Sequence, residues 1–218
     1  MNIIQEINKS STVSDYSNWV IPGKIMCGPY PYCDGINFDE KTGLDNIKAI
    51  LKDGVNVFVS LCGELPDSTK RSDVSSINHP YFPKYRHYTN AVLDLNSTCD
   101  FIYIPINDGG IPGFRDIIKH INLMIKLINR NRVLYIHCAG GHGRTNIYTS
   151  ILFSYFYNIE PEMAIFSVFL FRENRRKRDK KLAMYNIPRD DKKRIFNSNQ
   201  EELTIAVAKY FHLKKFEY

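Results

Sequence analysis

The segment "VLYIHCAGGHGRTNIY", residues 133–148, constrains the fold of this chain more than any other. Its first, apolar part is typical of a buried strand, and the aliphatic and aromatic residues from Thr145 to Tyr157 are typical of a helix. Three glycines, two histidines, a cysteine and an arginine lie between the two apolar runs. The sequence therefore predicts a strand-to-helix loop that carries an unusual density of reactive side chains.

Strand-like and helix-like segments alternate along the rest of the chain. Strands are predicted at residues 19–28, as an entry strand or hairpin, 55–62 and 100–108, and helices at 37–54, 114–131, 161–173 and 199–215. This alternation favours an α/β fold with a central, largely parallel sheet flanked by helices. The polar stretch at 63–80 predicts a long surface loop, and its length favours a functional role.

The size of the chain favours one domain. With 218 residues, 44% of them hydrophobic, the chain can bury one sizeable core. We expect a single domain at residues 19–218, preceded by an N-terminal extension at 1–18 for which flexibility is left open. No run approaches the ~18 apolar residues of a membrane span, and the N-terminus is too polar for a signal peptide.

The five cysteines contain no CxxC pair and fit neither a full disulfide framework nor a zinc site. We therefore expect reduced thiols, no metal and no other cofactor, and a location in the cytoplasm or the nucleus.

The net charge of +6 points toward anionic partners, and seven of the ten residues at 172–181 are basic. This basic run predicts either a solvated helix end or a contact with RNA or another anionic partner.

The glycines of the loop favour oxyanion binding. A glycine-rich segment at the start of a helix can turn its backbone N–H groups toward an anion, and the helix dipole acts in the same direction. The planar fork of Arg144 can grip two phosphate oxygens. The expected phosphate-binding residues are Ala139, Gly140, Gly141, His142, Gly143 and Arg144.

Cys138 lies within this predicted field. We expect it to be a thiolate, placed for in-line attack on phosphorus through a phosphocysteine intermediate. A cysteine–histidine dyad with His137 is disfavoured, because adjacent strand residues point to opposite faces.

The segment "HCAGGHGRT", residues 137–145, matches the HCx5R(S/T) signature and resembles the cysteine-dependent protein tyrosine phosphatase superfamily. The chain length is nearer the compact dual-specificity branch. The resemblance implies that Cys138 is the nucleophile and that Arg144 binds phosphate. It also implies that His137 is a buried residue that hydrogen-bonds the loop. For Thr145 it implies a hydroxyl that hydrogen-bonds the cysteine sulfur, and a simple helix N-cap is the alternative.

The resemblance also implies a general acid on a mobile loop ahead of the cysteine. In "IPINDGGIPG", Asp108 ends a predicted strand thirty residues before Cys138, and the neighbouring glycines give the loop freedom to close. The alternatives are Asp94, Asp100 and Asp116, none of which lies in so glycine-rich a loop.

Three further positions carry open predictions. His142 stands where many members have a small, apolar or lysine residue, and it either adds a charge to the substrate side or faces solvent. Asn146 replaces the glycine that usually follows the threonine, which puts the packing of the first helical turn in doubt. Some members use a cysteine at a strand end as a redox partner, and Cys62 is similar in position, although a small buried residue is the alternative.

A phosphorylated protein is the expected substrate class, because the loop lacks the paired lysines that look typical of inositol-lipid phosphatases. "KYRHY", residues 84–88, is a weak candidate for a phosphotyrosine-stacking loop. The first alternative is an RNA 5′-phosphatase or triphosphatase, which the basic run motivates. The second is a phosphate-binding module without turnover, which Asn146 motivates.

Overall fold

The structure, a computed structural model, describes residues 17–32, 40–65, 67–71, 87–178 and 197–215. Within these ranges the strands are β1 (Asn18–Ile21), β2 (Ile25–Gly28), β3 (Val57–Cys62), β4 (Asp100–Ile106) and β5 (Leu134–His137). The helices are α1 (Glu40–Lys52), α2 (Tyr88–Leu95), α3 (Phe114–Asn129), α4 (Gly143–Tyr157), α5 (Pro161–Arg178) and α6 (Ser198–Lys215).

The five strands form one sheet in the order β1-β2-β5-β3-β4. β1 and β2 form an antiparallel hairpin, and the other three pairings are parallel. β3 and β5 are buried along their whole length, as their continuous apolar runs require in a sheet covered on both faces. The predicted α/β fold with a largely parallel sheet is confirmed.

The parallel arrangement brings four chain segments to one edge of the sheet. Gly28 and Ser60 both pair with His137, at or near the ends of their strands, and Cys62 pairs with Ile106 at the ends of β3 and β4. The segments that follow β2, β3, β4 and β5 therefore meet at the carboxyl edge, where open α/β sheets bind their ligands.

Helix α4 lies at the centre of the helical layer. Every residue from Arg144 to Ser154 is buried, and the helix packs against α3, α5, α6 and β5. A helix without a polar face is stable only when it is surrounded by protein. The loop that precedes α4 is therefore anchored to a rigid element.

Some element boundaries differ from the sequence prediction. α4 begins at Gly143 rather than Thr145, and α5 continues to Arg178. Helix α2 was not predicted, because its Thr, Asn, Val and Asp residues are weak helix formers and His87 provides no side-chain cap. Burial of Tyr88, Thr89 and Val92 holds it in place instead. None of the six described helices combines the length and apolar composition that a membrane crossing requires.

Candidate active site

Cys138 is the first residue after β5 and is almost completely buried. The loop that follows lies against the end of β2. Gly141 has a φ of +66°, and a Cβ at this position would lie 2.4 Å from the carbonyl carbon of Gly28. Glycine is therefore the residue that this turn and this close approach require.

Four carbonyl groups of the loop accept hydrogen bonds from the surrounding protein. The pairs are Cys138 with His137 Nδ1 (3.3 Å), Ala139 with the Tyr30 N–H (3.0 Å), Gly141 with Arg175 Nη2 (3.3 Å) and His142 with the Asn146 N–H (2.8 Å). In a trans peptide the C=O and the following N–H point in opposite directions. The N–H groups that follow these carbonyls therefore point away from the scaffold.

Three of those N–H groups are available to a ligand. In the described part of the chain, the N–H groups of Ala139, Gly140 and Gly143 have no hydrogen-bond acceptor. Adjacent N–H donors beside a helix N-terminus favour an anion with several oxygens. The loop can therefore bind a tetrahedral oxyanion next to the Cys138 sulfur.

His137 supports the loop from inside the protein. Its Nε2 lies 2.9 Å from the Tyr88 hydroxyl, and its ring contacts Tyr30 edge-on at 5.6 Å. Burial lowers the pKa of His137 to about 3, so the imidazole is neutral near pH 7. Nδ1–H then donates to the Cys138 carbonyl, and Nε2 accepts from Tyr88. His137 is consequently bound on both nitrogens and is no base for Cys138.

Arg175 supports the loop from α5. It is 2% exposed and donates to Asn18 Oδ1 (3.0 Å), to the Cys27 carbonyl (3.4 Å) and to the Gly141 carbonyl (3.3 Å). It belongs to the basic run at 172–181, so both interpretations of that run, a solvated face and an anion contact, are wrong for this residue.

The first residue of the basic run behaves differently. Arg172 forms an ion pair with Glu173 at 2.8 Å and lies over the ring of Phe169. Side chains from residue 176 to the end of the run lie outside those that the structure describes.

Arg144 lies at the centre of a carboxylate and carbonyl network. Its Nη1 and Nη2 donate to the two Glu64 oxygens at 2.5 and 2.7 Å, and Nη1 also donates to the Ile106 carbonyl at 2.8 Å. Although burial disfavours the charge, hydrogen bonding to Glu64 raises the pKa of Arg144 above its ordinary value. The guanidinium is therefore charged and held in one orientation.

The sequence did not indicate Glu64 as a residue of the site. The Gly63 N–H donates to the Ile106 carbonyl at 3.0 Å, and a Cβ at Gly63 would lie 3.0 Å from the Ile106 backbone. This close approach of the ends of β3 and β4 brings Glu64 to Arg144. A signal was present, because Glu64 directly follows the strand that ends at Cys62, at the same sheet edge as Cys138.

Asp108 is the aspartate that reaches the site. It lies in a turn closed by a hydrogen bond from the Gly110 N–H to the Asn107 carbonyl, in which Gly109 has a φ of +70°. Its side chain is 86% exposed, and Oδ1 lies 2.9 Å from Arg144 Nη2. The other three candidates pair elsewhere: Asp94 with Arg71, Asp100 with Arg132 and Asp116 with Lys119.

Thr145 is the third residue of α4, and His142 occupies the N-cap position. The Thr145 hydroxyl is buried and has no hydrogen-bond partner among the described residues, so it neither caps the helix nor hydrogen-bonds the Cys138 sulfur in this structure. His142 is half-buried and lies against Gly140. Asn146 is buried, and its backbone N–H continues the helical hydrogen bonding.

Two buried thiols flank Cys138. Cys27 on β2 and Cys62 on β3 lie on the two strands beside β5. Burial raises the pKa of both thiols, and the nearby Cys138 sulfur adds to that effect. The four described cysteines are all free thiols. A redox role for Cys62 stays a prediction, and Cys27 is a second candidate.

The weak stacking candidate at 84–88 lies partly outside the described residues, and its last two members, His87 and Tyr88, are buried. They are therefore unavailable to stack on a ligand. In the ranges given above, no group of three or more His, Cys, Asp and Glu side chains is arranged to hold a metal ion.

Known structures share this fold. PTPMT1 in complex with PI(5)P superimposes with a TM-score of 0.56 over 92% of this chain and 99% of that chain, at 12% identity. A mutant form of Tk-PTP gives a TM-score of 0.55 over 91% of this chain and 97% of that chain, at 13% identity. At these identities the likeness concerns the fold.

Two viral proteins are similar in sequence over a shorter segment. "Putative tyrosine phosphatase 067L" of Invertebrate iridescent virus 3 is 29% identical over 90 residues, which cover 39% of this chain and 38% of that protein. "Putative tyrosine phosphatase 197R" of Invertebrate iridescent virus 6 is 36% identical over 69 residues, 30% of this chain and 26% of that protein. The matched segments thus span well under half of these relatives.

A family model described as "Swiss Army Knife protein, DSP-PTPase phosphatase domain" matches residues 14–205. This range contains β1 to β5, the Cys138 loop and the Asp108 turn. The resemblance inferred from the sequence is thereby confirmed, and the chain belongs to the PTP-SAK family of DSP-PTPase phosphatase domains.

Proposed function

We propose that this protein hydrolyses phosphomonoesters on phosphorylated proteins, on phosphotyrosine and, as a dual-specificity enzyme, on phosphoserine and phosphothreonine. The reaction passes through a phosphocysteine intermediate on Cys138. One observation carries the proposal: the loop carbonyls are bonded to the scaffold, which leaves the N–H groups of Ala139, Gly140 and Gly143, between Cys138 and Arg144, without acceptors among the described residues. A preorganised ring of donors of this kind stabilises charge that develops in a transition state.

Arg144 binds the phosphate through one edge of its guanidinium. The Glu64 carboxylate occupies the edge of the Arg144 guanidinium that is formed by Nη1 and Nη2. A bound phosphate accepts hydrogen bonds from the other edge of this guanidinium, which is formed by Nε and Nη2. It replaces the Asp108 carboxylate on Nη2, while Glu64 keeps the fork oriented.

Displacement from Arg144 frees the Asp108 carboxyl group to face the leaving oxygen of the bound ester. The Cys138 thiolate attacks phosphorus, the S–P bond forms as the P–O ester bond breaks, and Asp108 gives its proton to the leaving oxygen. Water then attacks phosphorus, and the Asp108 carboxylate takes the proton from that water. The S–P bond breaks, inorganic phosphate leaves, and Cys138 returns to the thiolate.

The buried Thr145 hydroxyl has a role in this second step. It has no partner among the described residues and lies in the first turn of α4, next to the loop. It donates a hydrogen bond to the cysteine sulfur as the S–P bond breaks, which stabilises the departing thiolate.

The structure gives less support to the two alternative functions, removal of RNA 5′-phosphates and phosphate binding without turnover. Arg175, one of the charges that motivated RNA binding, is buried and bonded to the protein. Asn146, which motivated a module without turnover, leaves the helical hydrogen bonding of α4 intact. A phosphorylated protein therefore remains the substrate class that we propose.

The test is a release assay for inorganic phosphate on four substrates: phosphotyrosyl and phosphoseryl peptides, RNA with a 5′-triphosphate, and PI(5)P vesicles. The lipid is included because the similar PTPMT1 structure was solved with PI(5)P. We expect the highest kcat/KM on a phosphopeptide. A higher kcat/KM on RNA or on PI(5)P would overturn the substrate class, and phosphopeptide binding without phosphate release would overturn the activity.

A further inference from the structure

The turn that carries Asp108 is held by the first turn of α6. The Gly109 carbonyl accepts a hydrogen bond from Asn197 Nδ2 at 3.0 Å, and the Gly110 carbonyl accepts one from Gln200 Nε2 at 3.2 Å. The turn itself is exposed, and Ile111 after it is 44% exposed. A segment with so little buried surface depends on its hydrogen bonds for a fixed position.

The two donors lie on a rigid support. Asn197 precedes α6, and its Oδ1 accepts the Gln200 N–H at 2.9 Å, as an N-cap residue does. α6 packs on α4 through a buried face that includes Val207 and Phe211. Both amide side chains are therefore fixed relative to the Cys138 loop.

Gln200 also touches the phosphate-binding loop. It is 4% exposed, and a Cβ at Gly143 would lie 3.0 Å from its Oε1. One side chain thus contacts Gly143, the first residue of α4, and hydrogen-bonds Gly110 in the Asp108 turn. Gln200 therefore connects the two halves of the site directly.

We propose that Asn197 and Gln200 are positioning residues that hold the general acid Asp108 at its working distance from the leaving oxygen. The proposal rests on the proposed function and deepens it. A misplacement of about 1 Å lowers a catalytic rate on the order of 10²-fold. The loss falls on substrates whose leaving group needs a proton, because an activated aryl phosphate departs with little protonation.

The test compares the double variant Asn197→Ser/Gln200→Met with wild type on a phosphotyrosyl peptide and on an activated aryl phosphate. Serine keeps the α6 cap, and methionine keeps the volume of Gln200, while both remove the amide donor. Glu202→Gln, an exposed position on the same helix, is the matched control. We expect kcat/KM, which reports the formation of the phosphocysteine, to fall about 10²-fold on the peptide, with little change in kcat/KM on the aryl phosphate. The single variants serve if the double variant does not fold.

Asp108→Asn provides the reference. Its kcat/KM should show the same dependence on the leaving group, with a loss on the order of 10²–10⁴-fold on the peptide. Adding the double variant to Asp108→Asn should cost nothing further, because the position of an absent acid does not matter. Equal losses on both substrates, or an additive loss in the triple variant, would overturn the positioning role and would leave the assignment of Asp108 as the acid intact. If Asp108→Asn itself lacks the leaving-group dependence, the acid assignment of the proposed function fails, and the positioning role fails with it.

Discussion

Cys138→Ser is expected to abolish turnover and to leave phosphate binding in place. The hydrogen bonds that hold the loop run from Tyr30, Arg175 and the first turn of α4 to loop carbonyls, and none of them uses the Cys138 sulfur. A serine hydroxyl is not ionised near pH 7, and His137 is bound on both nitrogens and cannot activate it. We expect kcat on a phosphotyrosyl peptide to fall on the order of 10⁶-fold, as for the loss of other enzymatic nucleophiles.

Cys99→Ser is the matched control for this variant. Cys99 is also buried, but it lies before the amino end of β4, at the opposite edge of the sheet. We expect its kcat to equal that of wild type, and we expect calorimetry to show phosphopeptide binding to Cys138→Ser. Substantial turnover by purified Cys138→Ser would contradict the assignment of the nucleophile.

Arg144→Lys is expected to lower kcat/KM on the order of 10²–10³-fold, the cost of losing one oriented donor to developing charge. An ammonium cannot present two planar donors to a phosphate while a second edge binds a carboxylate. The substitution also breaks the two-point contact with Glu64, whose side chain is 18% exposed. The free energy of unfolding should therefore fall as well, and denaturant titration measures that change separately from the kinetics.

Arg132→Lys separates the two effects. Arg132 also binds a carboxylate, that of Asp100, and a carbonyl, that of Asn56, but it does so at the amino end of β4. We expect this control to change the free energy of unfolding and to leave kcat/KM unchanged. If Arg144→Lys retained a near wild-type kcat/KM, two-point recognition of the phosphate would be wrong.

The part of the site that the sequence predicted is the part encoded locally. Cys138, Arg144 and the intervening glycines belong to one segment of seven residues, where a strand, a turn and a helix follow one another. Asp108 could be predicted in the same way, because it ends a strand and begins a glycine-rich turn. Local order along the chain is sufficient in both cases.

The residues that the sequence did not indicate act across long separations. Glu64 meets Arg144 across 80 positions, and Gln200 meets Gly110 across 90. Such contacts depend on the order of the strands and on the packing of α6, which hydrophobic periodicity does not encode. Of the two residues, Glu64 was the easier to predict from the sequence, because it follows a predicted strand end.

In the basic run at 172–181 the sequence drew attention to a residue but predicted the wrong surroundings for it. A cluster of charges predicts a solvated surface on average, yet Arg175 is buried and donates to one amide oxygen and two carbonyls. Its carbonyl partners on Cys27 and Gly141 lie 148 and 34 positions away along the chain and become neighbours only after the sheet has formed. The start of α4 was also predicted inexactly. The sequence indicated a helix from Thr145, but the helix begins two residues earlier, at Gly143, so Thr145 does not occupy the N-cap position.

The most direct test of the central claim is to trap the covalent intermediate. Asp108→Asn is mixed with an activated aryl phosphate, whose leaving group departs with little protonation, and is denatured within the first turnover, and the phosphorylated residue is mapped by mass spectrometry. This variant lacks the base that activates water, so the intermediate should accumulate. We predict one phosphoryl group on the Cys138 sulfur, absent when Cys138→Ser is combined with Asp108→Asn. A phosphoryl group on another residue, or product release with Cys138 unmodified throughout, would contradict the account.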